Sequence, residues 1–374
     1  MPRGHACRER CGISTSPRES SSSPPATARP RQPRSRRCRL RSDPPRRLAV
    51  IDGRTRGLRT VLSSRRLTIA RLPLLLLVAS LPLLASSEHI ASVGRTAATY
   101  GVLALGYTVV FGFCGQFTMA HAALYGVGAY TVAILTTTVG VDPWVTLPVA
   151  VTVAAAAGAL IGLCALRVRG DLLAVVTLAL GQLVELVLLD WTSATGGNGG
   201  ISSVPPLQFA GTALIDERGL YTVALVALVV CVLLVDRLRG SRAGLAMEAI
   251  RDDALLAGSA GVRTGAYKVL AFTISGAFAG VAGWLEATAI GAVSPPTFDV
   301  VLSVLIAVMV LLAGVGRVYA VIAAAAFIAV LQDVLSGWPT VETASVGVAI
   351  VLIVLYRNGL LRRRWTPATL VGTT

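Results

Sequence analysis

Residues 219–236 read GLYTVALVALVVCVLLVD, and residues 237–268 continue as RLRGSRAGLAMEAIRDDALLAGSAGVRTGAYK. The first stretch carries no charge before Asp236. As a helix it rises about 27 Å at roughly 1.5 Å per residue, close to the ~30 Å of hydrocarbon in a bilayer. The second stretch is too rich in charge and glycine to stay in lipid. Working outward, the same alternation recurs from Leu72 to Tyr356: an apolar run of bilayer length, then a short connection that collects the charge. The fold class read from this pattern is an all-α, polytopic membrane bundle.

Composition agrees. Hydrophobic residues make up 54% of the 374-residue chain and charged residues 14%, with a mean hydropathy of +0.70. The expected spans are 69–87, 90–113, 117–138, 145–166, 172–191, 219–236, 267–291, 300–316, 319–335 and 342–356, about ten in all. The formal net charge of +15 is unevenly placed. Counted alternately from a cytoplasmic N-terminus, the basic clusters at 1–66, Arg167–Asp171, Arg237–Lys268, Arg317 and Arg357–Arg364 all fall inside. The outer connections hold only Arg218 as a basic residue. That is the positive-inside distribution, and Trp144, Trp191 and Trp338 fall at outer boundaries where interfacial aromatics belong. Both termini are therefore expected in the cytoplasm of a cell whose plasma membrane the chain crosses many times.

Three domains follow from the composition. Residues 1–66, rich in Arg, Ser and Pro, form a basic cytoplasmic tail that lacks the residues to build a core. Such a tail is drawn to anionic head groups of the bilayer; no folded nucleic-acid-binding motif is present in it. A start codon downstream of Met1 is the competing reading. Lys268 is the only lysine, a bias that suits GC-rich coding, in which spurious Arg- and Pro-rich extensions arise. Residues 67–357 form the transmembrane domain with a cytoplasmic connection at 237–267, and 358–374 a short basic tail. Ser64-Arg65-Arg66 before Leu72–Leu77 resembles a leader peptide, but further spans follow at once, so an uncleaved first helix is read there.

The function classes narrow by omission. The sequence has no G-x-x-x-x-G-K-[ST] phosphate loop, no H-E-x-x-H and no G-x-S-x-G, so ATP is not bound here in the phosphate-loop manner and a hydrolase is poorly supported. The six cysteines and three histidines show no standard zinc spacing. No catalytic residue, metal or cofactor is assigned. Cys114, Cys164 and Cys231 are read as apolar packing residues. Gly158 with Gly162, and Gly276, Gly280 and Gly283 with Ala279 and Ala282, mark close helix contacts.

Polar residues inside apolar runs are costly and mark cavities or partners. Arg95, Gln116, His121, Gln182, Glu185, Glu286 and Asp333 are of this kind. Gln182 and Glu185 share one helix face with Gly181 nearby; they suit either a ligand ammonium or an interhelical bond. His121 suits a proton relay or a structural bond. Phe113-Cys114-Gly115-Gln116 interrupts a run, as broken helices at solute sites do, or as an ordinary turn does. In 237–267, Leu245, Glu248–Ala249, Asp252 and Leu256 recur at helical spacing and Gly261 supplies a stop, giving a short amphipathic helix outside the bilayer.

Four stretches carry a resemblance to a family. They are Gly115–Tyr130; Arg169-Gly170-Asp171 through Thr177-Leu178 to Thr195–Ile201; Ala249–Ala254 with Gly261 and Tyr267-Lys268; and Ser275–Gly283 with Ser294-Pro295, Phe298 and Gly314-Val315-Gly316. In this order they resemble the permease subunits of branched-chain amino acid ATP-binding cassette importers. Ala120 stands where that family often has Gly, and Asn198-Gly199 varies its outer loop; urea and short-amide permeases resemble it too. The resemblance implies a transport subunit, not an enzyme. It implies two separate ATP-binding cassette subunits, a second permease subunit and an extracytoplasmic solute-binding protein that docks near 192–218. Ala249–Ala260 would be the coupling helix, with Glu248, Ala249, Arg251, Asp252, Asp253 and Gly261 as its docking residues. Gln116, His121, Gln182 and Glu185 would line the pathway, and Gly196, Gly197 and Asn198 the outer loop. An ion-driven secondary transporter using Glu185, Glu286 or Asp333, and a structural membrane anchor, are the competing classes.

Overall fold

The computed structural model describes residues 87–168, 172–209, 212–213 and 216–336. The expected spans at 69–87 and 342–356, both tails, Trp338 and the Arg357–Arg364 cluster lie outside the described residues.

Helices dominate. They are α1 (Glu88–Tyr107, extended by a π-turn over Thr108–Phe113), α2 (His121–Thr138), α3 (Pro143–Ala165), α4 (Leu172–Asp190) and α5 (Glu217–Arg239). They continue as α6 (Arg242–Asp252), α7 (Ala254–Ser259), α8 (Thr264–Ile290), α9 (Val300–Ala313) and α10 (Val318–Leu335). Seven helical segments among the described residues are long and apolar enough to cross a membrane. The chain is a polytopic helical membrane protein. Two short antiparallel pairs add the only strands among the described residues: Ile201–Ser202 with Ala292–Val293, and Gln208–Phe209 with Thr212–Ala213.

α1 and α8 are the central helices. α8 lies against α1, α2 and α3, and α1 also meets α5 and α10. Glycines make this density reachable. A Cβ on Gly280 would sit 2.7 Å from the Ala150 carbonyl oxygen of α3, and one on Gly283 2.6 Å from that of Tyr125 in α2. Small residues let backbones approach where lipid supplies no hydrophobic drive between helices. Trp284 anchors the same region by donating from Nε1 to the Pro143 carbonyl at 2.7 Å.

Two expectations are corrected. The span read over 117–138 begins instead at His121. Gly115 takes φ +69 and closes α1, the Gln116 amide reaches back to Val110 O at 3.0 Å, and residues 114–120 run on without helix. The single amphipathic helix is two, because Asp253 is extended and its carboxylate accepts from the Leu255 and Leu256 amides, starting α7 afresh. On this pair Gly244, Met247 and Ile250 are buried, while Leu245, Leu255 and Leu256 face outward at 53%, 82% and 68% exposure.

Candidate functional site: a closed crevice and the helix pair beneath it

Two broken elements meet inside the bundle. His121, at the start of α2, lies against Leu103 of α1, about 15 Å from the end of the π-turn at 1.5 Å per residue. α2 therefore begins well inside the span. Ser303, one turn into α9, accepts from the Ala122 amide at 3.0 Å, so α9 begins at the same depth. The chain reaches that start through Pro295–Phe298, and Phe298 stacks edge-on against Tyr125 at 5.0 Å. Asp299 caps α9 by accepting from Leu302 at 3.0 Å. Interrupted helices of this kind are stable in a membrane only where protein or a cavity receives the freed backbone groups.

α4 closes the third side. Thr177 Oγ1 accepts from the Met119 amide at 3.0 Å, and Gly181 packs on Ala120. Between these pieces lies a crevice of about 10 Å³ bordered by Met119, Gly181, Gln182, Phe298, Asp299 and Ser303. That volume holds no more than about one water.

The four expected pathway residues are not gathered in one place. Gln182 borders the crevice and donates to Glu185 at 2.8 Å in the second half of α4. His121 is wholly enclosed, with Nε2 at 3.0 Å from the Leu103 carbonyl and Nδ1 at 3.1 Å from Ser275 Oγ, tying α2 to α1 and α8. Gln116 folds back to the Cys114 carbonyl at the end of α1. Gly196, Gly197 and Gly200 take left-handed conformations, and β-pairing of Ile201 with Val293 ties this loop to the segment leading into Phe298. Asn198 is exposed.

At the other end of the bundle α5 turns at Gly240 into α6. Ser241 caps α6, and Glu248 approaches Arg239 at 3.6 Å. Ala249, Asp252, Asp253 and Gly261 are exposed, and a hollow of about 450 Å³ opens beside Gly261, Arg263 and Tyr267. Arg251 turns the other way, donating from Nη1 to the Gly112 carbonyl at 2.7 Å.

Sequence reasoning passed over several contributors. Ser303 and Thr177 act on backbone amides distant in sequence, and no spacing announces them; Asp299 is a local cap, three residues before Leu302. Arg95 and Glu286 stand out as charges in apolar runs. Arg95 donates from Nε to Glu217 at 3.2 Å, and Nη1 lies 3.9 Å from Glu286, joining α1, α5 and α8. His89 and Asp333 meet at 3.1 Å.

The family model described as "Branched-chain amino acid transport system / permease component" matches residues 89–356. The chain is 38% identical over 288 residues to the high-affinity branched-chain amino acid transport system permease protein LivM of Escherichia coli K12, covering 70% of this chain and 67% of that protein. LivM of Salmonella typhimurium LT2 is 37% identical over the same shares. The permease protein LivH of Salmonella typhimurium LT2 is 28% identical, over 53% of this chain and 69% of its own. No solved structure matches.

Proposed function

This chain belongs to the family of branched-chain amino acid transport system permease components, and from that premise we propose that it is a membrane subunit of a bacterial importer for branched-chain amino acids, energised from outside its own sequence. The observation that carries the reading is the α6–α7 pair. It leaves the bundle between two spans and turns Leu245, Asp252, Leu255 and Leu256 outward, in a chain with no phosphate loop. An apolar and acidic surface on a short rigid element is what a separate cytoplasmic ATP-binding subunit can grip. The excess of arginine in these connections supports a cytoplasmic position for that element by the positive-inside rule. The 192–218 loop then faces outward, where a solute-binding protein would release substrate, and a second permease subunit would complete the channel.

In this reading the crevice is the shut waist of the pathway. The start of α2 presents the positive end of a helix dipole, which suits an amino acid's carboxylate, while that of α9 is already capped by Asp299; Glu185 suits the ammonium. Discontinuous helices serve charged solutes in other transport folds in this way. His121 ties helices together, and Gln116 marks the inner mouth. Alternating access would open the waist to one side at a time.

The test is ATP-driven uptake of radiolabelled leucine, isoleucine, valine and urea into proteoliposomes holding the chain with its ATP-binding, second permease and solute-binding partners. Uptake of the three amino acids is expected. Asp252→Arg should abolish it without loss of insertion, and Glu185→Gln should lower it more than it lowers stability. Uptake of urea alone would move the assignment to an amide permease. Uptake that continues without the ATP-binding subunits would refute the importer.

A further inference from the structure

We propose that Arg251 is the positioning residue that carries movement of α6 to the crevice; this deepens the importer reading and rests on it. The last carbonyls of a helix lack partners within it, and Arg251 Nη1 takes the one at Gly112, inside the π-turn that ends α1, at 2.7 Å. Glycines from two separate junctions let this partly exposed side chain lie close against the backbone. A Cβ on Gly115 would meet Arg251 Cγ at 2.9 Å, and one on Gly316, in the turn between α9 and α10, would lie 3.6 Å from Nη1. One side chain thus occupies a socket shared by the end of α1 and the end of α9.

Both walls of the socket lead directly to the crevice. From Gly115 the non-helical segment runs to Met119, held by Thr177 of α4, and on to Ala122, held by Ser303 of α9. From the Gly314–Gly316 turn, α9 leads back as one unbroken helix to Asp299 and Phe298. Phe117 stacks on Phe111 at 5.6 Å, fastening the segment to the π-turn. A push on α6 is therefore delivered at once to the two helix starts that flank the crevice. Asp252 supplies the outer contact. Its Oδ1 is 3.3 Å from Arg251, and its side chain is 74% exposed against 31% for Arg251. A partner that engages Asp252 changes the hold on the guanidinium.

A plain helix cap would use the same hydrogen bond, so the test must separate holding from transmission. The full complex is reconstituted with Arg251→Met, which keeps the packed stem, and with Arg251→Lys, which keeps the cation but loses the fork. Leucine uptake, ATP hydrolysis and co-purification of the ATP-binding subunit are measured together. The expected result is uptake per ATP reduced about tenfold in Arg251→Met, toward the lower end of the usual range for coupling between sites, with hydrolysis and subunit association retained and Arg251→Lys intermediate. Uptake and hydrolysis falling in the same ratio, with loss of the subunit, would make Arg251 a docking contact and overturn the proposal; so would an unchanged ratio. Should Arg251→Met fail to insert, Arg251→Lys decides on the same ratio. If wild-type complex shows no ATP-driven uptake, it is the importer reading that fails.

Discussion

Replacing Gly283 by Ala tests the packing that holds the crevice in register. The new Cβ would lie 2.5 Å from the Ala129 nitrogen and 2.6 Å from the Tyr125 oxygen, both backbone atoms of α2 that cannot rotate away. Ordinary contact begins near 3.5 Å, so α2 and α8 must part by roughly 0.8–1.0 Å, and a gap of that size forfeits a quarter to a half of each contact's attraction. Overpacking of this kind costs about 1–3 kcal/mol. Ala returns less than about 1 kcal/mol of helix propensity. The net expected loss is about 1–2 kcal/mol, read from SDS-driven unfolding in mixed micelles, with Trp284, the next residue, as fluorescent reporter. Gly128→Ala strains the same crossing, where its Cβ would meet Gly280 Cα at 2.7 Å. Helices already parted by one substitution accept the other at lower cost, so the double variant should lose at least about 0.5 kcal/mol less than the two singles together. Gly258→Ala, which meets nothing within 4 Å, is the control. Full stability of Gly283→Ala, or strict additivity of the pair, would refute the argument from close approach.

Two further outcomes are expected. Ser303→Ala leaves the buried Ala122 amide without its acceptor and should cost about 1–3 kcal/mol, whereas Ser303→Thr, which keeps the hydroxyl, should recover most of it in the same unfolding assay. Asp253→Ala removes two bonds at the start of α7, so a cap loss of about 1 kcal/mol should speed hydrogen exchange about fivefold at residues 254–259 alone, while Asp253→Asn should leave it close to wild type; acceleration spread through α8 would contradict a local cap.

Periodicity and hydropathy reveal elements whose partner is lipid. The described spans therefore fall within a few residues of where the apolar runs place them, as at 219–236 against Glu217–Arg239. They reveal much less where protein is the partner. His121 is legible as a costly residue, but its two bonds go to Leu103 and Ser275, 18 and 154 residues away. The crevice is hidden for the same reason, since Met119–Thr177 and Ala122–Ser303 join residues separated by 58 and 181 positions. The α6–α7 surface is legible as amphipathic, but the face that meets the bundle is not: Met247 and Ile250 turn inward and Leu245 and Leu256 outward. Helical spacing alone cannot say which of two mixed faces meets the bundle. The break at Gly115 is legible, but Phe117, Thr118, Met119 and Ala120 after it read as the first turn of the next span, whereas they run on without helix to His121.

Phe298, wedged against Tyr125 and Tyr130 above a space for at most one water, bears on the economy of the whole cell. If this crevice is the waist of the proposed pathway, a constriction too tight for a file of water stops conduction, and the shut subunit is expected to leak neither protons nor sodium. A cell can then carry many idle copies without running down the proton-motive force on which its other work depends.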